Sequence, residues 1–467
     1  MDINKHDIKR FLVKSSDLTR KKLFVEFYQP KFQFLFKKLH ECPYPLHLLK
    51  KLSNRMFDGP FGSNRKVDMY QDSGIPYIRV KDVLPLGIFL DGLKYISQEK
   101  HNELIRSRVV TGNILITIAG RVGTAAVFPE SLKEGNITGH IVGLELLKEI
   151  NPHYVATFIN SQLGEFQAIR LGHRTTRPEL NLSEVGEFII PIPPRPVQDH
   201  IAQIMQDAYA IQKNKLSEAQ PLYQAINQYI LGELGIDITK LKNHNRVIKS
   251  IRSIAGGRFD FEAVVTLQEI NLGLMKPVLL REVVKQVNQR ITPVNEYANE
   301  NINYIGLGNI ASNTGELVDF FPVQGEEILS SSPKFEVGDI LFGRMRPYLN
   351  KVWLAEFNGV CSGEAVVLRP NKQKVDPIFL QGLLLSQITL NQVVPLQSGT
   401  SLPRVSASDI LNIKLPIPED LNKQRKISAE ISRRCAESKK LRVEAENLVT
   451  EAKARVERMI LGVEEVT

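Results

Sequence analysis

Four glycine-containing basic loops hold the residues best suited to chemistry in this 467-residue chain. The loop GRMRPYLNK (343–351) sets Arg344, Arg346 and Lys351 around a tyrosine, directly after an apolar run. GTSLPR (399–404) carries Arg404, GHRTTRPE (172–179) carries Arg174 and Arg177, and AGRVG (119–123) carries Arg121 between two glycines. A guanidinium offers planar donors that fork onto guanine edges, and either Arg or Lys neutralises a phosphate. These seven residues are the candidate DNA contacts; the competing reading is an ordinary solvated surface. RSR (106–108) is open to both readings. A formal net charge of +9 fits a polyanionic partner without identifying one.

Catalytic and metal-binding patterns are weaker. NPHY (151–154) lies one residue from the Asn-Pro-Pro-Tyr of adenine methyltransferases, but an Asn-Pro helix start explains it, and the related DPIF (376–379) keeps only the cap and the proline. GLG (306–308) lacks the third glycine and following helix of a nucleotide loop. No Walker motif or HExxH occurs, and the three cysteines, Cys42, Cys361 and Cys435, are too dispersed for a zinc site or a disulfide framework. The chain is expected to bind no cofactor or metal and to catalyse nothing itself. Without a long apolar run or a signal-peptide core, it is expected to be cytoplasmic, with no membrane contact.

The elements that must position the basic loops come in duplicate. SGIPYIRVKDV (73–83) pairs with ENINYIGLGNI (300–310), and TGNILIT (111–117) with VGDILFG (337–343). NPHYVATFINSQLG (151–164) pairs with DPIFLQGLLLSQIT (376–389), Pro191 and Pro193 with Pro416 and Pro418, and YILGELG (229–235) with MILGVEE (459–465). Each half opens with short β-rich runs separated by Gly, Pro and Asn turns. It closes on a proline corner followed by a long charged helix beginning near Gln198 or Gln424. The expected fold is therefore α+β: two similar heads joined by two long antiparallel coiled-coil helices, with a pseudo-two-fold internal repeat. Spacings of three and four pick out a thin seam through Ile204, Ile211 and Ile226 on one helix and Ile431, Leu441 and Leu448 on the other. Pro221 is expected to kink or break the first helix. A rod of this length would be roughly 50 Å long, enough to hold two DNA-reading heads about one turn of duplex apart.

With that grammar in view, residues 45 to 463 resemble the specificity (S) subunits of type I restriction–modification systems. GPFGSNRKVDMYQDSGIPYIRVKDV (59–83), GDILFGRMRPYLNKV (338–352), SGTSLPRVSASDILNIKLPIPEDLNKQRKI (398–427) and its weaker twin GHRTTRPELNLSEVGEFIIPIPPRPVQDHI (172–201) carry the resemblance. The chain departs from the family at Val197 and Lys423, where a Glu usually precedes the helix-start Gln. The resemblance implies an N-terminal extension (1–44), target recognition domains at 45–195 and 259–418, spacer helices at 196–236 and 419–463, and a linker at 237–258. RFDFEA (258–263) is either a shorter counterpart of the extension or, like the extension itself, domain padding. It further implies a phage-defence role in which each domain reads one half of an asymmetric split site on double-stranded DNA. The implied partners are two adenine methyltransferase subunits carrying S-adenosylmethionine and, where present, two restriction/translocase subunits using ATP and Mg. Two rivals are a structural adaptor with protein-binding heads and the recognition subunit of a related two-component methyltransferase-nuclease system.

Overall fold

A computed structural model describes residues 29–60, 69–172, 178–236, 275–399 and 401–465. The chain divides into two compact units, Met1–Asn214 with Glu444–Thr467, and Lys215–Val443.

In the first unit, strands β1 (Ser53–Asp58), β2 (Ile114–Thr117), β3 (Ala125–Val127) and β4 (Ile141–Leu146) form an antiparallel sheet in the order β1-β4-β2-β3. In the second unit, β5 (Val284–Gln286), β6 (Ile340–Gly343), β7 (Val352–Leu354) and β8 (Ala365–Pro370) repeat it as β5-β8-β6-β7. The turn before β2 or β6 needs a left-handed backbone, which Gly112 and Gly338 supply at φ +86° and +89°. The adjoining side chain, Asn113 or Asp339, accepts the N–H of Val110 or Glu336 to close that turn.

Each unit has a second sheet with a common centre. Ile75–Ile78 runs parallel to Glu134–Ile137, which is antiparallel to Arg108–Val110; Tyr304–Ile305, Gly359–Cys361 and Ser332–Phe335 match them. The edges differ: Lys94–Ile96 adds beside the first of these strands, whereas Arg290–Ile291 adds beside Ser332–Phe335. The two heads share a frame and diverge at its margins.

Each head then turns into helices. α1 (Pro152–Ile159) starts at Asn151 and α3 (Pro377–Leu384) at Asp376; both caps accept two backbone N–H groups and are followed by proline, as the sequence predicts. α2 (Arg195–Glu233) and α4 (Leu421–Ile460) are the long helices. Both take part in both units. In the first unit the β2 and β4 core (Ile114, Ile116, Val142, Leu144) packs with Ile201 and Met205 of α2 and with Val456 and Met459 of α4. In the second, Ile340, Phe342 and Leu368 share a core with Ile230 and Leu231 of α2 and with Ile427 and Ile431 of α4.

The helices pair antiparallel within the second unit: Ser438 Oγ donates to the Ala219 carbonyl (3.0 Å), and Arg434 donates to that of Ala225 (3.1 Å). Within this pairing Ala219 and Ser438 are each at most 1% exposed. Of the predicted seam, Ile431 is buried, and Ile204, Ile226 and Leu448 pack partly buried against the cores; Leu441 is half-buried. Ile211 does not belong to the seam, being 44% exposed. Pro221 does not end α2 either; carbonyls on both sides of it are held from α4.

The helix Pro30–His40 lies inside the region predicted as an extension, and its Leu35 and Leu39 are buried in the first unit's core. The predicted linker 237–258, the segment RFDFEA and Met1–Tyr28 fall outside the described residues.

Candidate nucleic-acid interface

Two segments cross at the end of the central sheet strand of each head. In the second unit, the backbone leaving β6 meets the segment around Arg404. Val405 N–H donates to the Arg344 carbonyl (3.0 Å), Met345 bridges Arg404, and Arg344 N–H donates to the Glu364 carbonyl (2.9 Å). The same three links occur in the first unit. Leu180 N–H donates to Ile118 (2.9 Å), Ala119 bridges Glu179, and Ile118 N–H donates to His140 (3.0 Å). Backbone geometry is thus repeated while the side chains it displays change.

In the second unit the crossing gathers three of the predicted basic residues. Arg404 sits against the Glu364 carboxylate, its Nε 3.0 Å from Oε2 and its Nη2 2.9 Å from Oε1, and its Nη1 donates to the Leu402 carbonyl at 3.1 Å. Arg344 Nε lies 4.0 Å from the same carboxylate. The hydrogen bonds from Arg404 hold the Glu364 carboxyl below its ordinary range, more strongly than partial burial raises it. Arg346 is exposed in a left-handed conformation (φ +50°), with its N–H donating to the Pro403 carbonyl at 2.7 Å. That bond ties the 343–351 loop to the segment around Arg404. Tyr348 stands 49% exposed beside them. Lys351 differs: its ammonium donates to the Leu307 carbonyl, and desolvation lowers its pKa. It braces the loop rather than pointing outward.

In the first unit, Arg121 is exposed on the turn between β2 and β3. Thr117 Oγ1 donates to the Arg121 carbonyl and accepts the Thr124 N–H, which fixes the turn. Gly123, at φ +84°, lets the turn approach the helix Gln162–Leu171, since a Cβ there would stand 2.7 Å from that of Ala168. Arg174 and Arg177 lie outside the described residues. Arg108 of RSR is engaged by Glu134 at 2.8 Å.

The methyltransferase-like NPHY is structural. Tyr154 is fully buried, its hydroxyl donates to the Pro191 carbonyl at 2.6 Å, and burial pushes its pKa well up. Sequence reasoning missed Glu364, Glu179 and His140, which lie far along the chain from the groups they meet. It marked Gln198 and Gln424 only as helix starts. Both are buried: Gln198 accepts from Asn151 N–H and donates to the Pro193 carbonyl, while Gln424 accepts from Asp376 N–H and donates to those of Pro418 and Lys374. The repeated proline corner is the acceptor of a repeated glutamine latch.

The profile of the type I restriction modification DNA specificity domain matches residues 63–220 and 274–443, one copy for each half of the chain. The chain belongs to that family. It is similar to the type I restriction enzyme EcoDI specificity subunit of Escherichia coli, 29% identical over 115 residues covering 25% of each chain. Against the EcoBI specificity subunit of the same organism it is 27% identical over 161 residues, 33% of this chain and 34% of the relative. The matched segments therefore span only a quarter to a third of those curated relatives. The solved type I S subunit of M. genitalium aligns over 91% of this chain and 97% of its own, at 14% identity and a TM-score of 0.47. Both crossings include residues inside the family match: Ile118, Ala119, His140 and Glu179 in one copy; Arg344, Met345, Glu364 and Arg404 in the other.

Proposed function

We propose that this chain is the DNA sequence-specificity subunit of a type I restriction–modification complex. Each head reads one half of a bipartite, asymmetric site on double-stranded DNA, and the paired helices set the unread spacer. The observation that carries this reading is the repeated crossing: one backbone frame, built twice, displaying different polar side chains at the same two loops. A repeated frame suits two similar docking events on a duplex, and unlike side chains suit two unlike half-sites. Family membership and the net charge of +9 support the same reading.

Base methylation is assigned to partner chains: two adenine methyltransferase subunits that hold S-adenosylmethionine and receive the flipped base, and, where present, restriction subunits that use ATP and Mg. The contribution of this chain is positioning, with Arg121, Arg344, Arg346 and Arg404 at the interface, together with Arg174 and Arg177. Footprinting of the assembled methyltransferase complex on a duplex library tests it. The expected product is two short protected blocks of different sequence flanking an unprotected interval, with binding that weakens steeply as salt rises. One continuous block, or binding without sequence preference, would overturn the assignment.

A further inference from the structure

The two crossings exchange the sign of the side chain they present. Superposing the links described above, Ile118 takes the place of Arg344, His140 that of Glu364 and Glu179 that of Arg404. The second head shows a guanidinium backed by a carboxylate. The first shows a carboxylate backed by an imidazole, with Glu179 Oε1 3.6 Å from His140 Nδ1 and a side chain 53% exposed.

We propose that this crossing is the base-reading point of each head, and that the heads read with opposite polarity: Arg404 donates to a guanine in one half-site, and Glu179 accepts from an exocyclic amine, foremost that of cytosine, in the other. The proposal rests on the specificity-subunit reading and deepens it.

The donor inventory of Arg404 supports its half. A guanidinium has five N–H groups. Glu364 takes the Nε–Nη2 edge, and the Leu402 carbonyl takes one Nη1 hydrogen. Two of the five N–H groups are left, one on each terminal nitrogen, and a pair of donors is what guanine O6 and N7 accept. Glu364 is thus a positioning residue: it fixes the plane of the fork, so less side-chain freedom is lost on binding. Its carboxylate also lies within 4.0 Å of Arg344, whose Nε is shut off from solvent without a hydrogen-bond acceptor. In the first head the corresponding backbone carries Glu179, an acceptor-only group that would repel a guanine O6 and suit an amine.

The test is selection from a randomised duplex library with the full chain in complex with its modification subunits, comparing wild type with Arg404→Lys, Glu364→Gln and Glu179→Gln. Arg404→Lys keeps the charge and loses the fork, so guanine preference at one position of one half-site should fall roughly ten-fold or more. The other half-site should stay unchanged. Glu364→Gln keeps shape and should relax that same position to a lesser degree, while Glu179→Gln should alter a single position in the opposite half-site. The proposal is overturned if Arg404→Lys weakens all sequences equally, as a phosphate contact would, or if Glu364→Gln leaves the selected site unaltered while the protein melts as wild type. It is also overturned if Glu179→Gln and Arg404→Lys act on the same half-site. Failure of the wild-type complex to enrich any bipartite site would instead defeat the underlying functional assignment.

Discussion

Glutamines 198 and 424 show how much a single buried amide can organise. Each holds backbone groups at the junction of a head and its long helix, those of Pro193 and Pro418 in buried surroundings. Gln424→Ala removes the partner of one N–H and two carbonyls, of which that of buried Pro418 is the costliest to leave unpaired, and an unsatisfied buried group costs about 1–3 kcal/mol. Denaturant unfolding should show the second unit losing at least that much, with the first unit's transition little moved. A second residue-scale contrast is Glu457, whose carboxylate accepts the Gln162 N–H at 2.6 Å while burial raises its pKa. In the other unit the equivalent N–H, that of Gln387, is accepted by an amide, Asn227. An acid with a raised folded-state pKa disfavours the fold once ionised, and that penalty disappears as pH falls through the folded value. Glu457→Gln keeps the acceptor and drops the charge. The melting temperature at pH 7 should therefore rise, and the wild type's gain on moving from pH 7 toward pH 5 should shrink in the variant. These latches were half-legible in the sequence: the glutamines recur at matched places, but nothing local reveals what they hold. The Arg404–Glu364 pair was not legible, because its partners meet through sheet register across a sequence separation of 40.

Among the elements, a tightly packed junction is the one where α3 meets both long helices. A Cβ on Gly382 would stand 2.9 Å from the Cδ1 atoms of both Ile230 and Ile431. The atoms met are side-chain ends, but both isoleucines are themselves in the core, so they have little room to turn away. Gly382→Val should cost the second unit about 1–3 kcal/mol through overpacking, and Ile431→Ala about 2–5 kcal/mol through a cavity, both readable by chemical denaturation. Strand-initiating Gly112 and Gly338 and helix-capping Asn151 and Asp376 were legible in the sequence, because turn and cap chemistry is local. The seam was legible only in outline. Periodicity puts Ile211 on an apolar face but cannot show that the fold leaves it 44% exposed.

For the whole molecule, the repeat, the α+β class and the long helices follow from patterns spread over hundreds of residues, and such patterns survive local exceptions. The divergent edge strands of the two heads left no comparable periodicity. If the helices act as the spacer, lengthening both at matched levels should change the interval and nothing else. Four residues inserted after Asn214 and four after Val443, positions at which the chain passes between units, add about 6 Å to each helix. Methylome sequencing of cells carrying this variant should return the same half-sites with a longer interval. Altered half-site bases with an unchanged interval would remove the helices from that role.

Because α4 supplies Val456, Met459 and Ile460 to the core that β2, β4 and α1 begin, the ribosome delivers the last pieces of the first head only after making the entire second one. Until then, that early-made head displays an unfilled apolar socket. Nascent chains should accordingly lean on chaperones late in translation, and nonsense mutations upstream of Val456 should damage the portion synthesised first.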